Sequence, residues 1–315
     1  MPTLKKEVVL SGRGIHSGAA VKIVVRPFDR KGIFFHRIDI PNSELIEARF
    51  DNVGDTKMRN TTIGMPGGAH VQTIEHLMAA LFISGIDSAI IEINGQETPI
   101  LDGSAAVFID AFRGAGVTPG KMKKIVVRRP VVALARDVRR MLPLGLRIKL
   151  WFYDLMSGRR SDGYVKLVPN DGGALDISAT LVYREKIIGR QTYEYKFDGS
   201  KQSVADFIGN IARARTFGKY SEWEYLKARG MGRGADETNV IALNDAGDGT
   251  LNALIWPDEF VRHKIIDAVG DMATSGGMIA GRLESYKGSH AMNNVVLKKL
   301  FSDPRNYDIV ECETN

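Results

Sequence analysis

An imidazole and a carboxylate one helical turn apart are the residues in this sequence best placed to do chemistry. In Phe260-Val261-Arg262-His263-Lys264-Ile265-Ile266-Asp267-Ala268-Val269-Gly270-Asp271, a helix sets His263 and Asp267 on one face. Side chains so placed can hold one divalent metal ion. Asp271 falls about 80° round from His263, within reach of the same cavity. The apolar residues Ile265, Ile266, Val269 and Met272 cluster about 240° from His263 and would face the core. The plainer reading of this helix is a solvated face carrying a His–Asp pair.

Two other segments offer complementary groups. Glu75 and His76 are adjacent in a helical pattern that Thr73 is suited to cap. If both face a cavity, they supply one general base and one metal ligand, as hydrolytic zinc sites require. His290 lies in a polar, glycine-bearing turn, Tyr286-Lys287-Gly288-Ser289-His290, that opens a last helix. An imidazole there is a candidate acid, and Asp271 could orient it. Taken singly, each segment also has a bland explanation: a favourable helix-dipole charge for Glu75, a surface histidine for His290.

The elements that must position these groups fall into two halves. A glycine-rich turn at residues 11–18 and strand-like alternation over 21–26 come first. A helix over 73–83 ended by Gly85, a strand over 88–93 and a helix over 104–113 follow, and residues 114–124 read as a linker around Pro119 and Gly120. The second half repeats the grammar. Strands near 125–135, 147–152 and 176–183 precede helices near 204–215, 221–229, 260–275 and 291–300. Runs of strands followed by helices, twice over, predict an α+β fold rather than a doubly wound parallel sheet.

Composition narrows the classes of function. The chain has 315 residues, 25% charged and 44% hydrophobic, in the range of a soluble globular protein. No apolar run approaches the roughly 20 residues of a membrane-spanning helix, and the N-terminal residues lack the apolar core of a signal peptide. A cytoplasmic protein is expected. The single cysteine, Cys312, excludes an internal disulfide framework and a cysteine metal cluster. A net charge of +6 suits a phosphate-bearing partner. The basic groups at Lys121-Met122-Lys123-Lys124 and Arg128-Arg129 come with no zinc-finger, RNA-recognition or helix-turn-helix signature, so a small anionic molecule fits better than nucleic acid.

Taken together, the motifs resemble those of the UDP-3-O-acyl-N-acetylglucosamine deacetylases, zinc amidases that commit a sugar nucleotide to lipid A synthesis. The resemblance runs from Ser11-Gly12-Arg13-Gly14-Ile15-His16-Ser17-Gly18 nearly to the C-terminus. It takes in Pro99-Ile100-Leu101-Asp102-Gly103-Ser104 and Ala212-Arg213-Ala214-Arg215-Thr216-Phe217-Gly218, and is densest around His263 and His290. It implies two similar layered α+β domains, 1–121 and 122–315, each a β-sheet packed on helices, with the active site in the cleft between them. By the same resemblance His76, His263 and Asp267 are Zn2+ ligands, Glu75 the general base, and His290 with Asp271 the acid or charge stabiliser. Thr216 is implied as a hydrogen-bond donor to the reacting carbonyl. Lys264 and Lys287 are implied at the substrate phosphates, and Tyr183 beside the nucleotide base.

The departures from that pattern concentrate where the family binds its acyl chain, in the insert near residues 219–238. Lys219 stands where a Phe is usual, Trp223 where a smaller aliphatic is usual, and Asp236-Glu237 where a small residue precedes an apolar one. Glu185-Lys186 replaces a usual His-Pro, and Gly288-Ser289-His290 a usual Ser-Gly-His. A charge pointing into an apolar passage is costly, so Trp223, Arg233 and Asp236 are expected to obstruct or polarise it. Catalysis reads as intact and lipid recognition as rebuilt. The readings that follow are a zinc N-deacetylase acting on the lipid A precursor, a paralogue acting on an unacylated N-acetylglucosamine such as a cell-wall fragment, and a non-catalytic sugar-nucleotide sensor.

Overall fold

A computed structural model describes residues 1–54, 60–65, 67–142, 144, 145, 147 and 162–313. The strands of the first half turn apolar side chains onto the core, with period-two alternation clearest in parts of residues 20–26 and 88–93. These strands are β1 (Val8–Arg13), β2 (Ala20–Arg26), β3 (Gly32–Arg37), β4 (Ile46–Glu47), β5 (Ile63–Gly64), β6 (His70–Val71) and β7 (Ser88–Ile93). Five of them form a sheet in the order β1-β2-β7-β3-β4, in which only β3 and β7 run parallel. The helices of this half are α1 (Glu75–Ile83) and α2 (Ala106–Ala115).

The second half contributes β8 (Lys121–Val127), β9 (Val131–Leu134), α3 (Ala135–Arg140), β10 (Tyr164–Val168), β11 (Leu175–Val182) and β12 (Arg190–Phe197). Then come α4 (Lys201–Asn210), β13 (Thr216–Lys219), α5 (Tyr220–Lys227), β14 (Val240–Leu243) and α6 (Glu259–Ala273). The chain closes with β15 (Met278–Tyr286), α7 (His290–Phe301) and β16 (Tyr307–Glu313). Its seven-stranded sheet is centred on β15, whose first residues pair with β8 and whose later residues lie between β10 and β11. The fold is the expected mixed α+β.

Several boundaries differ from expectation for physical reasons. Residues 121–124, read as part of a linker, are strand, because β16 at the far end of the chain pairs with them. The strand β12 was not expected, since its exposed charges hide the alternation of the buried Tyr195 and Phe197. The strand expected over 147–152 lies, past its first residue, outside the described residues. Thr73 does not cap α1. Ile74 holds that place, and Thr73 adopts φ 59°, a left-handed conformation costly for a β-branched residue. Hydrogen bonds hold it there: its hydroxyl accepts from Asn60 and donates to Glu97, and its carbonyl accepts from Thr98.

All nine residues of α1 are buried. From Leu77 onward α1 is apolar on every side, as suits a helix inside a protein, and it is packed between α2 and α6. Leu77, Met78 and Leu81 are each almost fully enclosed, contributing about 1.5–3 kcal/mol apiece. On α6 both faces are buried: Ile265, Ile266, Val269 and Met272 as expected, and also His263, Asp267 and Asp271. The solvated-face reading of this helix is therefore overturned. One apolar core continues through both sheets and the helices other than α5.

Candidate active site

The meeting of α1 with α6 brings the chemistry together. It depends on Gly270: a Cβ there would lie 1.9 Å from the backbone oxygen of Glu75. Without a side chain at 270, α6 reaches the first turn of α1 and stacks His263 and Asp267 against Glu75 and His76. These four residues, with Asp271 and His290, are between 2% and 7% exposed. Polar groups are so deeply buried only when partnered.

Each has its partners. His76 Nε2 and His263 Nε2 lie 3.6 and 3.4 Å from Asp267 Oδ1. His263 Nδ1 donates to the Ala214 carbonyl at 3.1 Å, which turns Nε2 toward Asp267. Asp267 Oδ2 accepts from Lys264 Nζ at 2.6 Å. His290 Nδ1 donates to Asp271 Oδ2 at 2.8 Å, and the same oxygen accepts from Asn293 at 2.7 Å. Thr61 joins the two acidic groups: its N–H donates to Glu75 Oε2 at 3.0 Å and its hydroxyl to Asp271 Oδ1. His290 Nε2 points back into the centre, 4.0 Å from Glu75 Oε1 and 3.7 Å from Asp267 Oδ2.

This packing sorts the charges. Burial lowers the His263 imidazole to about 3, overriding the pull of Asp267, so it is neutral and offers a lone pair. Burial also pushes the Glu75 carboxyl up, against the pull of His290 and His76. For Asp267 burial is outweighed by the cations Lys264 and His290, which hold its carboxyl well below the usual range. Burial likewise opposes charge on His290, yet Asp271, Asp267 and Glu75 raise it to about 10. Lys264 is raised too, because Asp267 and Tyr183 outweigh the cost of its burial.

The residues fit a divalent ion. One ligand atom each from His76, His263 and Asp267 lies within 4.8 Å of the others. Donors about 2.0–2.1 Å from a tetrahedral ion stand about 3.4 Å apart, close to the separations to Asp267 Oδ1. Three carboxylates, Glu75, Asp267 and Asp271, face two cations, Lys264 and His290. The excess negative charge suits a cation.

A cavity of about 190 Å³ opens onto this cluster and takes walls from both halves of the chain. Thr216 lines it, its N–H bonded to the Gly103 carbonyl at 3.1 Å. Gly103, at φ 82°, also lies against the residue that precedes β14: a Cβ there would lie 1.8 Å from the Asn239 backbone oxygen. Tyr183 and Lys264 also line the cavity. Tyr183 is exposed and packs edge-on to Phe217. Lys287 does not line this cavity; its Nζ pairs with Asp162 at 2.8 Å.

Of the departures in the insert, only Trp223 lines the cavity, and it is 5% exposed. Arg233 and Asp236 are exposed and form no part of its lining, with the Asp236 carboxylate accepting from Thr238. Lys219 turns instead to Glu185, at 2.8 Å, so two departures 34 positions apart in sequence answer one another. The structure adds residues that sequence reasoning had not placed in the site: Thr61, Asn293, Gly270 and His16. His16 lines the cavity with a buried Nδ1 that has no hydrogen-bond partner. The glycine-rich motif around His16 was the one signal for it. Nothing in the sequence marked Thr61.

A mixed α+β fold that buries two histidines and an aspartate within ligand reach of one another, beside a carboxylate and an aspartate-held imidazole, is the arrangement of a metal-dependent hydrolase. The sequence profile of the family described as UDP-3-O-acyl N-acetylglycosamine deacetylase (LpxC) matches residues 1–302. Named UDP-3-O-acyl-N-acetylglucosamine deacetylases are similar over nearly the whole chain. That of Geotalea uraniireducens (strain Rf4) is 38% identical, covering 98% of this chain and 91% of its own. That of Citrifermentans bemidjiense is 35% identical over 98% and 91%. The Neisseria meningitidis serogroup B (strain MC58) protein is 34% identical over 98% and 92%. The chain belongs to this family and is an N-deacetylase. Among the described residues, no helix is long and apolar enough to cross a membrane.

Proposed function

We propose that this protein is a zinc-dependent deacetylase that hydrolyses the acetamide of a UDP-linked, 3-O-acylated N-acetylglucosamine in lipid A synthesis, and that it works in the cytoplasm. The observation that supports this most is the convergence of His76, His263 and Asp267 from two helices, with Glu75 and His290 on either side. The reading divides the chain into units at 1–121 and 122–315. When bound, a divalent zinc ion supplies Lewis acidity to water and to a carbonyl oxygen.

The chain's own groups do the rest. Glu75, anchored through one oxygen by Thr61, keeps the other free to take a proton from the attacking water. Thr216 donates its hydroxyl to the carbonyl oxygen as charge develops there. An amide nitrogen leaves badly as an anion, so it must be protonated. His290 presents Nε2–H for that transfer while Asp271 holds Nδ1. Lys264 steadies the charge of Asp267, and with Tyr183 it faces the nucleotide. Lys287 reaches the phosphates by exchanging its partner Asp162 for them. The products are acetate and the free amino sugar.

Trp223 favours a short acyl chain over the long one. Its indole packs with Ala235, Val240 and Ala242 as a separate small cluster at the cavity wall, in the passage that a chain would follow. Acetate release from UDP-3-O-acyl-N-acetylglucosamine, measured over a series of acyl lengths beside the unacylated sugar nucleotide, tests the whole reading. Turnover is expected with short acyl groups and to weaken beyond them. Absence of acetate release from every member would overturn the reading.

A further inference from the structure

At the far end of α1 from Glu75, a groove of about 880 Å³ opens beside Ile83, Ser84 and Gly85. The nine residues of α1 separate it from the catalytic groups by roughly 13 Å. Its volume falls within the about 300–1,000 Å³ usual for small-molecule sites. The floor is apolar, with Ile83, Ile109, Phe197 and Met278 all buried. Val204 and Ile208, half-buried on α4, form one wall.

The rim has the opposite character. Arg113, Lys124 and Lys201 stand around the mouth. Among the described residues, no carboxylate forms an ion pair with any of the three. The one acidic residue in the lining of this groove, Asp198, is ionised and turned toward the chain, its Oδ1 accepting from the Ser200 N–H at 2.9 Å. The Ser200 hydroxyl and N–H hold its carboxyl down at about 2. An apolar trough with three cations and one carboxylate at its mouth, a net positive charge, is complementary to a hydrocarbon tail bearing a negative head.

We propose that this groove binds a free single-chain anionic amphiphile of the fatty-acid class, at a site separate from the deacetylase centre. The tail lies along Ile109 and Ile208, and the carboxylate meets Lys124, Lys201 and Arg113. A second cavity of about 250 Å³ shares Ile109, Ile208 and Gly209 with the groove and is bounded also by Asp110 and Arg213.

Equilibrium dialysis of radiolabelled tetradecanoate against the metal-loaded enzyme tests the proposal. Val204→Glu, at a half-buried position far from the metal ligands, is expected to abolish one equivalent of binding while acetate release persists. The Lys124→Gln, Lys201→Gln double variant should weaken that equivalent about tenfold or more, as expected for losing charge-assisted hydrogen bonds. Cys312, the sole cysteine, lines the groove. Tetradecanoate should slow its alkylation by N-ethylmaleimide, whereas tetradecanol and acetate should not. The proposal fails if tetradecanoate does not bind, or if both variants bind it as the unaltered protein does. Equal protection of Cys312 by tetradecanol would remove the role of the cations and overturn it as well.

Discussion

The α1–α6 junction and the insert over residues 219–238 make opposite use of their side chains. At the junction every catalytic candidate is buried and tied to at least one partner, and a single missing side chain, at Gly270, sets the distance between the helices. In the insert most side chains are exposed, and its one large anchor, Trp223, packs in a cluster apart from the main core. Rigid close packing holds reacting groups to fractions of an ångström, which catalysis requires. A thin, exposed element can change its residues at little cost to folding, which suits it to setting substrate preference. The Lys219–Glu185 pair illustrates that freedom, since an ion pair at the surface is screened by solvent and adds little to folding.

The sharpest way to break this comparison is to remove ligands from the junction. The double variant His263→Ala, Asp267→Ala should lose its zinc, one equivalent per chain by metal analysis, and with it all detectable acetate release. Stoichiometric zinc in that variant would mean the ion sits elsewhere. Glu75→Ala should keep its zinc yet lose about 10²–10⁴-fold in turnover, the range of a positioned general base. Turnover close to that of the unaltered enzyme would assign the proton to another group.

Gly270→Ala tests the spacing itself. The new Cβ must push Glu75 away from α6, and a displacement of about 1 Å in a catalytic group costs about 10²-fold in turnover. Overpacking should also lower stability by about 1–3 kcal/mol, read as a fall in melting temperature. On the insert side, Trp223→Leu should leave turnover of short-chain substrates nearly unchanged. For longer chains, kcat/KM should rise about fourfold for each methylene newly accommodated, from about 0.8 kcal/mol per buried CH₂. A flat chain-length profile in this variant would show that Trp223 does not close the passage.

The smallest effect expected comes from a carboxylate outside both regions. Asp87 is buried, with an oxygen that has no hydrogen-bond partner, and burial raises its carboxyl to about 6, against the pull of Lys31. The folded chain thus holds that proton more tightly than the unfolded one. The resulting stability is fully present below about pH 4 and lost as pH rises through 6. Asp87→Asn should therefore raise stability at pH 7–8 by on the order of 1–3 kcal/mol, read as a higher melting temperature, and change little at pH 4. At the junction the same burial cost is outweighed for Asp267, where Lys264 supplies an opposite charge.

Local spacing by itself determined a good deal of this protein. Four positions between His263 and Asp267 put them on one helical face, and the adjacency of Glu75 and His76 offered a base beside a ligand. Strand-then-helix order carried the α+β class. What spacing left open was whether those faces met water or each other, because burial is a property of the partner surface and not of the helix. Only the packed fold brought His76 within 3.6 Å of Asp267, and only there did Thr61, 210 positions before Asp271, become the donor that joins Glu75 to the carboxylate holding His290. Strand β8 likewise waited for β16, since a strand's hydrogen bonds belong to its neighbour. Arg233 and Asp236 carried the same message of charge as Lys219, yet each turned away from the cavity, because a side chain's direction follows from a backbone path that contacts across the whole chain decide.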